Sequence, residues 1–143
     1  MNQDEQLALV PSEASYSTEE VLTAARESLD FLAAMVMPLV YQYAYPPVFL
    51  AVWQWLTSYA ILTRDFSKLA LGLPRGFGKT TLLKIFIVWV ILFTKKKFIL
   101  ITAANSSLAE NVLADVIDML DEIHIKRTFG DWRQGVEKDS AHL

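Results

Sequence analysis

The chain has 143 residues, no cysteine, and sixteen acidic against thirteen basic side chains, for a formal net charge of −3. That length suits one domain or part of one with a real core, the lack of cysteine excludes disulfides and thiolate metal sites, and the acidic balance excludes a chain-wide basic footprint for nucleic acid. The two histidines, His124 and His142, lie far apart in sequence without metal-ligand spacing.

Residues 1–16 are polar and unpatterned and read as a mobile leader; Asp4 and Glu5 replace the basic stretch that would open a signal peptide, so a cytosolic product is expected. Ser17 followed by Glu20 fits a capping box, and Val21, Ala25, Leu29, Leu32 and Val36 recur at helical spacing. One amphipathic helix ending before Pro38 is predicted.

Residues 31–63 carry no charge. A membrane span requires about 20 apolar residues, and here Pro38, Pro46 and Pro47 cut the run, while Gln54, Thr57 and Ser58 interrupt its second part. The preferred reading is a helix beginning at Pro47 with Leu50, Trp53, Leu56 and Ala60 on its buried face.

Residues 64–67 turn the chain into an apolar run at 69–73, read as a strand. There follow Pro74, Arg75, Gly76, Phe77, Gly78, Lys79, Thr80 and Thr81, and then an apolar helix over 79–93 that is expected to be buried on several sides. A strand, a glycine-bearing turn and a helix N-terminus make a phosphate cradle. Gly76 and Gly78 lack a Cβ and let backbone N–H groups approach phosphate oxygens. Lys79 would reach the β- and γ-phosphates, the Thr80 hydroxyl would take Mg²⁺, and Thr81 offers a second hydroxyl. The strict pattern G-x-x-x-x-G-K-[ST] is not met, because Leu73 stands where its first glycine belongs and Gly72 comes one residue too early. The plain alternative is a Gly-Lys-Thr in a surface turn.

Three lysines at 95–97 read as a solvated turn, with a phosphate-backbone contact as the alternative, and residues 98–102 read as a second strand. The two strands and the helix between them have the length of a βαβ unit with a parallel pair. Ser107 and Glu110 suggest another capping box, and Leu108, Val112, Val116, Leu120 and Ile123 form a helical stripe that ends at Gly130. Asp115, Asp118, Asp121 and Glu122 lie within that period and read as a solvated helix face rather than a hydrolytic Asp-Glu strand end.

The run from Pro74 to Thr80 resembles the deviant phosphate loop of the large terminase subunits of tailed bacteriophages, ATPases that drive DNA into preformed capsids. The resemblance extends over residues 31–135, through the Pro-rich aromatic lead-in and the stretch from Ile101 to Glu110. It implies an α/β fold, the N-terminal portion of a RecA-like P-loop NTPase sheet, with residues 1–16 as leader, 17–66 as helical lead-in and 67–143 as the first βαβα part of the ATPase domain. It implies ATP and Mg²⁺ held by residues 74–81, with Lys79 and Arg75 as the catalytic side chains and Arg75 acting on the γ-phosphate from within the chain. Gln54 is the candidate for the adenine edge, since an amide donates and accepts at once; a solvated Gln54 and an Arg75 paired to a carboxylate are the alternatives. Double-stranded viral DNA, the portal protein, the small terminase subunit and a homo-oligomeric ring in the host cytoplasm follow from the same resemblance, with no membrane.

The family's Mg²⁺-positioning Asp-Glu and its nuclease domain have no counterpart here, so a truncated or split ATPase is expected. A helicase-like or other P-loop ATPase fragment is disfavoured by Arg75. The alternative of a different class is a small membrane-associated protein with 31–62 and 82–93 facing lipid.

Overall fold

The computed structural model describes residues 16–58, 68–96 and 98–134. Among these the regular structure is helical: α1 (Thr18–Glu27), α2 (Leu29–Val36), α3 (Pro47–Leu56), α4 (Lys79–Phe93), α5 (Ser106–Asp121) and α6 (Ile123–Phe129). The expected parallel sheet of a P-loop NTPase is thereby corrected. Residues 69–73 and 98–102 have non-helical backbone and form no strand pair among the described residues. β-propensity is realised only where a neighbouring strand supplies the ladder, and here the apolar surface of α4 is covered by helices instead.

The N-terminal capping box forms as its residues predict. Glu20 N–H donates to Ser17 Oγ at 3.2 Å, and Ser17 N–H donates to Glu20 Oε2 at 2.7 Å. The single helix expected to run on to Pro38 is divided at Ser28, whose backbone is extended at φ −109° and ψ 118°. Ser28 N–H closes α1 on Ala24 O at 2.9 Å, while its Oγ caps α2 by accepting from Phe31 N–H at 3.2 Å. A serine that bonds nearby backbone competes with the helix interior, and the break turns Leu29, Leu32, Ala33, Met35 and Val36 into one buried face.

After α2 the chain is pinned by one carboxylate. Asp30 Oδ1 accepts from Tyr41 OH at 2.8 Å and from Tyr45 N–H at 2.7 Å. Burial, and then the Asp30 charge, push the Tyr45 phenol above its ordinary value. Pro47 opens α3 as predicted, but the buried face is Phe49, Trp53 and Leu56; Leu50 is exposed, and Ala60 lies outside the described residues.

Helix α4 runs through the centre, packing on α2 and α5, and buries Leu82, Ile85, Val88 and Trp89. Phe86, Ile87, Val90, Leu92 and Phe93 also pack against the core, so the helix is covered on several sides as expected, with Leu83 and Ile91 on its exposed sector. Trp89 is the hub of an aromatic cluster: Trp53 lies edge-on at 6.2 Å, Phe86 stacks at 6.1 Å and Phe93 sits at 5.8 Å. Trp89 Nε1–H donates to Arg26 O at 2.9 Å, which ties α4 to the end of α1.

Helix α5 starts at an Asn105 cap, whose side chain accepts from Leu108 N–H at 2.9 Å, rather than at Ser107. Its buried residues are Val116, Met119 and Leu120, while Leu108 and Ile123 of the predicted stripe are exposed. Gly130, at φ 87°, ends α6. Asp121 accepts from Trp132 Nε1–H at 2.9 Å and pairs with Arg133 at 2.6 Å and Lys126 at 3.3 Å. Partial burial raises its carboxyl, but these donors outweigh burial and hold it below its ordinary value.

Two predictions follow from this packing. Leu32→Ala, at a fully buried position, should lower unfolding free energy by about 2–5 kcal/mol in denaturant titration, whereas Leu39→Ala, at an exposed one, should change it by less than about 0.5 kcal/mol. Acid should also destabilise the fold. The Glu20 carboxyl is held below its ordinary 4.5 by the Ser17 backbone and side-chain hydrogen bonds, as Asp121 is held below 3.8. A depressed folded value means stability that is complete above those ordinary values and lost as pH falls through the folded ones. Thermal melts should therefore drop below about pH 4.5, and Asp121→Asn should flatten part of that drop.

Candidate phosphate-binding loop

The loop between residues 73 and 79 turns back on itself because two of its residues take left-handed backbone. Gly76 has φ 82°, and Gly78, the N-cap of α4, has φ 74° and ψ 24°. A Cβ on either would meet nothing within 4 Å, so the demand for glycine is conformational rather than spatial. No side chain caps α4, which leaves the first-turn N–H groups of Lys79, Thr80 and Thr81 free of helical partners at the positive end of a 15-residue helix.

The Lys79 ammonium folds across the loop and donates to the Leu73 carbonyl, joining the loop's two ends. Arg75 is exposed at the tip and forms no ion pair among the described residues, so the carboxylate partner considered for it is not found there. Thr80 is exposed and Thr81 half-buried on the first turn of α4, and Pro74 is exposed on the loop's incoming limb. Phe77 is half-exposed and stacks on Phe49 of α3, with ring centroids 6.4 Å apart and planes 25° apart, which fastens the loop to the helical layer.

Residues 74–81 lie on the loop and the first turn of α4. Gln54 is exposed on α3, beside the face that carries Phe49, Trp53 and Leu56, and makes no side-chain hydrogen bond among the described residues. Phe49 is the lead-in residue that touches the loop. Its spacing of four before Trp53 was the available signal, since both fall on one helical face.

A cleft of about 490 Å³ opens beside this first turn, lined by Met37, Leu39, Thr81, Lys84, Asp115 and Asp118, among others. Lys84 bridges it by pairing with Asp115. The acidic run therefore divides. Asp115 and Asp121 are ion-paired, Asp118 is exposed, and none of them ends a strand. Lys95 and Lys96 are exposed, and Lys97 lies outside the described residues. Among the described residues no helix is long and apolar enough to cross a membrane.

Chemically, the loop offers two cationic side chains, three outward N–H groups and two hydroxyls within eight residues, a donor set suited to an anion with several oxygens. No family model, no curated protein and no solved structure matches this chain.

Proposed function

We propose that residues 74–81 bind the polyphosphate of ATP, and that the chain serves an ATP-driven motor for packaging viral DNA. The observation that carries this reading is the pair of left-handed glycines, Gly76 and Gly78, leading into the uncapped N-terminus of α4 with Lys79 as its first residue. A nest of N–H groups at a helix start needs only the turn and the helix, so the reading does not depend on a sheet.

In this assignment the Lys79 ammonium exchanges the Leu73 carbonyl for β- and γ-phosphate oxygens. The free N–H groups of the first turn take the remaining oxygens. The exposed Arg75 guanidinium can fork onto the γ-phosphate, which a lysine there could not do. Thr80 is the hydroxyl that would hold Mg²⁺, and the ion would supply neutralisation of phosphate charge. Double-stranded DNA, a portal protein, a small terminase subunit, a homo-oligomeric ring and the host cytoplasm complete the proposal; their support is the resemblance of the loop to large terminase subunits.

Calorimetric titration with ATP–Mg²⁺ tests the assignment. Lys79→Ala should weaken binding about 10- to 100-fold, the range for losing hydrogen bonds to a charged group. Equal affinity in wild type and Lys79→Ala would remove the phosphate site. Gly78→Ala should cost about 1 kcal/mol of stability by forcing a side chain into left-handed backbone, and should weaken ATP binding as well. Gly72→Ala is the matched control, because Gly72 has no positive φ and open space where its Cβ would stand. It should leave both measurements unchanged.

A further inference from the structure

We infer, resting on the phosphate assignment above, that the nucleoside of the bound nucleotide lies in the cleft beside the first turn of α4, where the Asp118 carboxylate accepts hydrogen bonds from the ribose hydroxyls and makes the site selective for ribonucleotides. The connection is Thr81. It belongs to the loop's donor set and also lines the cleft, so a polyphosphate seated on the loop carries its substituent to the cleft mouth. Thr81 borders a second cavity as well, formed with Met37 and the tyrosine segment after α2. At about 250 Å³ that cavity falls below the roughly 300–1,000 Å³ of small-molecule sites, whereas the cleft, at about 490 Å³, falls within that range.

The cleft has the two kinds of wall that a nucleoside requires. Met37 and Leu39, from the segment after α2, and Met119 of α5 supply apolar surface for a planar base, and a thioether packs favourably against an aromatic ring. The polar wall comes from α5 and its end. Asp115 is taken by Lys84, whereas Asp118 is exposed and forms no ion pair or side-chain hydrogen bond among the described residues. Glu122 follows one turn later and lines the cleft too. Ionised carboxylates only accept, so the occupant of this wall must bring donors without bringing negative charge. Neighbouring ribose hydroxyls do both, and an acidic side chain is a common partner for them. Among the described residues no three acidic or histidine side chains are grouped to hold a metal ion, so a sugar suits this wall better than a cation.

Calorimetric titration with the Mg²⁺ complexes of ATP, 2′-deoxy-ATP and inorganic tripolyphosphate tests the placement, with helical circular dichroism as the check of folding. Wild type should bind ATP about tenfold more tightly than 2′-deoxy-ATP, the loss expected for one hydrogen bond to a charged group. Asp118→Ala should abolish that preference by weakening ATP, and should not weaken tripolyphosphate. Leu39→Ala should weaken both nucleotides about threefold through lost apolar contact, again sparing tripolyphosphate. Tyr43→Ala, at the exposed rim of the second cavity, should leave all three affinities unchanged. Equal affinity for the two nucleotides in wild type, a comparison that needs no substitution, or a preference that survives in Asp118→Ala would overturn the ribose contact. Nucleotide binding weakened by Tyr43→Ala and not by Leu39→Ala would overturn the choice of cleft. Tripolyphosphate bound as tightly as ATP, and lost in Lys79→Ala, would overturn the nucleoside site and leave the phosphate loop standing. Binding of none of the three would remove both.

Discussion

Burial of the apolar surface of α4 is the constraint on which the other elements depend. Leu82, Ile85, Val88 and Trp89 occupy successive turns, and covering them requires α2, α3 and α5 to approach from different sides. At about 25 cal/mol per Å² of apolar surface removed from water, such burial dominates any capping or ion-pair contribution. The aromatic rings give this burial its directionality. Trp53 meets both Phe86 and Trp89 edge-on, and Phe93 meets Phe129 of α6 edge-on at 5.4 Å, so the helices are fixed in rotation as well as in position. Trp53 Nε1 is buried without a hydrogen-bond partner among the described residues, a cost that its surrounding contacts must offset.

Polar contacts then orient what burial has gathered. Asp30 fastens the tyrosine segment after α2, and Trp89 bonds the last turn of α1. The Phe77–Phe49 stack continues through Tyr45, whose ring lies 5.5 Å from Phe49, so an aromatic path runs from the glycine loop to the Asp30 anchor. The loop is therefore carried by two helices. Its N–H groups sit at the start of α4, and its one aromatic rests on α3. Behind the loop, α4 is held by the same apolar surface that organises the core.

The packing that positions the loop also leaves surfaces open. Leu108 and Leu113 in the first half of α5 are exposed, and among the described residues the backbone at 98–102 bonds no other backbone group. The glycine loop and the exposed apolar segment thus lie at opposite ends of α4. The loop precedes its N-terminus, and the unpaired segment follows its C-terminus.

Local signals were legible in the sequence wherever a feature depends only on residues close in the chain. The Ser17–Glu20 capping box, Pro47 at the start of α3, the helix beginning at Lys79, the glycine stop at Gly130 and the two glycines of the loop all form as read, since each is a matter of backbone geometry within a few residues. Competing local choices were harder to decide. Ser28 and Asn105 won as caps because serine and asparagine bond nearby N–H groups wherever packing lets the helix break or begin. What only the tertiary structure decided is who covers whom: Phe49 of α3 stacks on Phe77 of the loop, and helices rather than strands bury α4. An apolar run such as 98–102 states that it can pair, but a strand exists only when another segment supplies its hydrogen bonds. That partner is a property of the assembled molecule, not of the run itself.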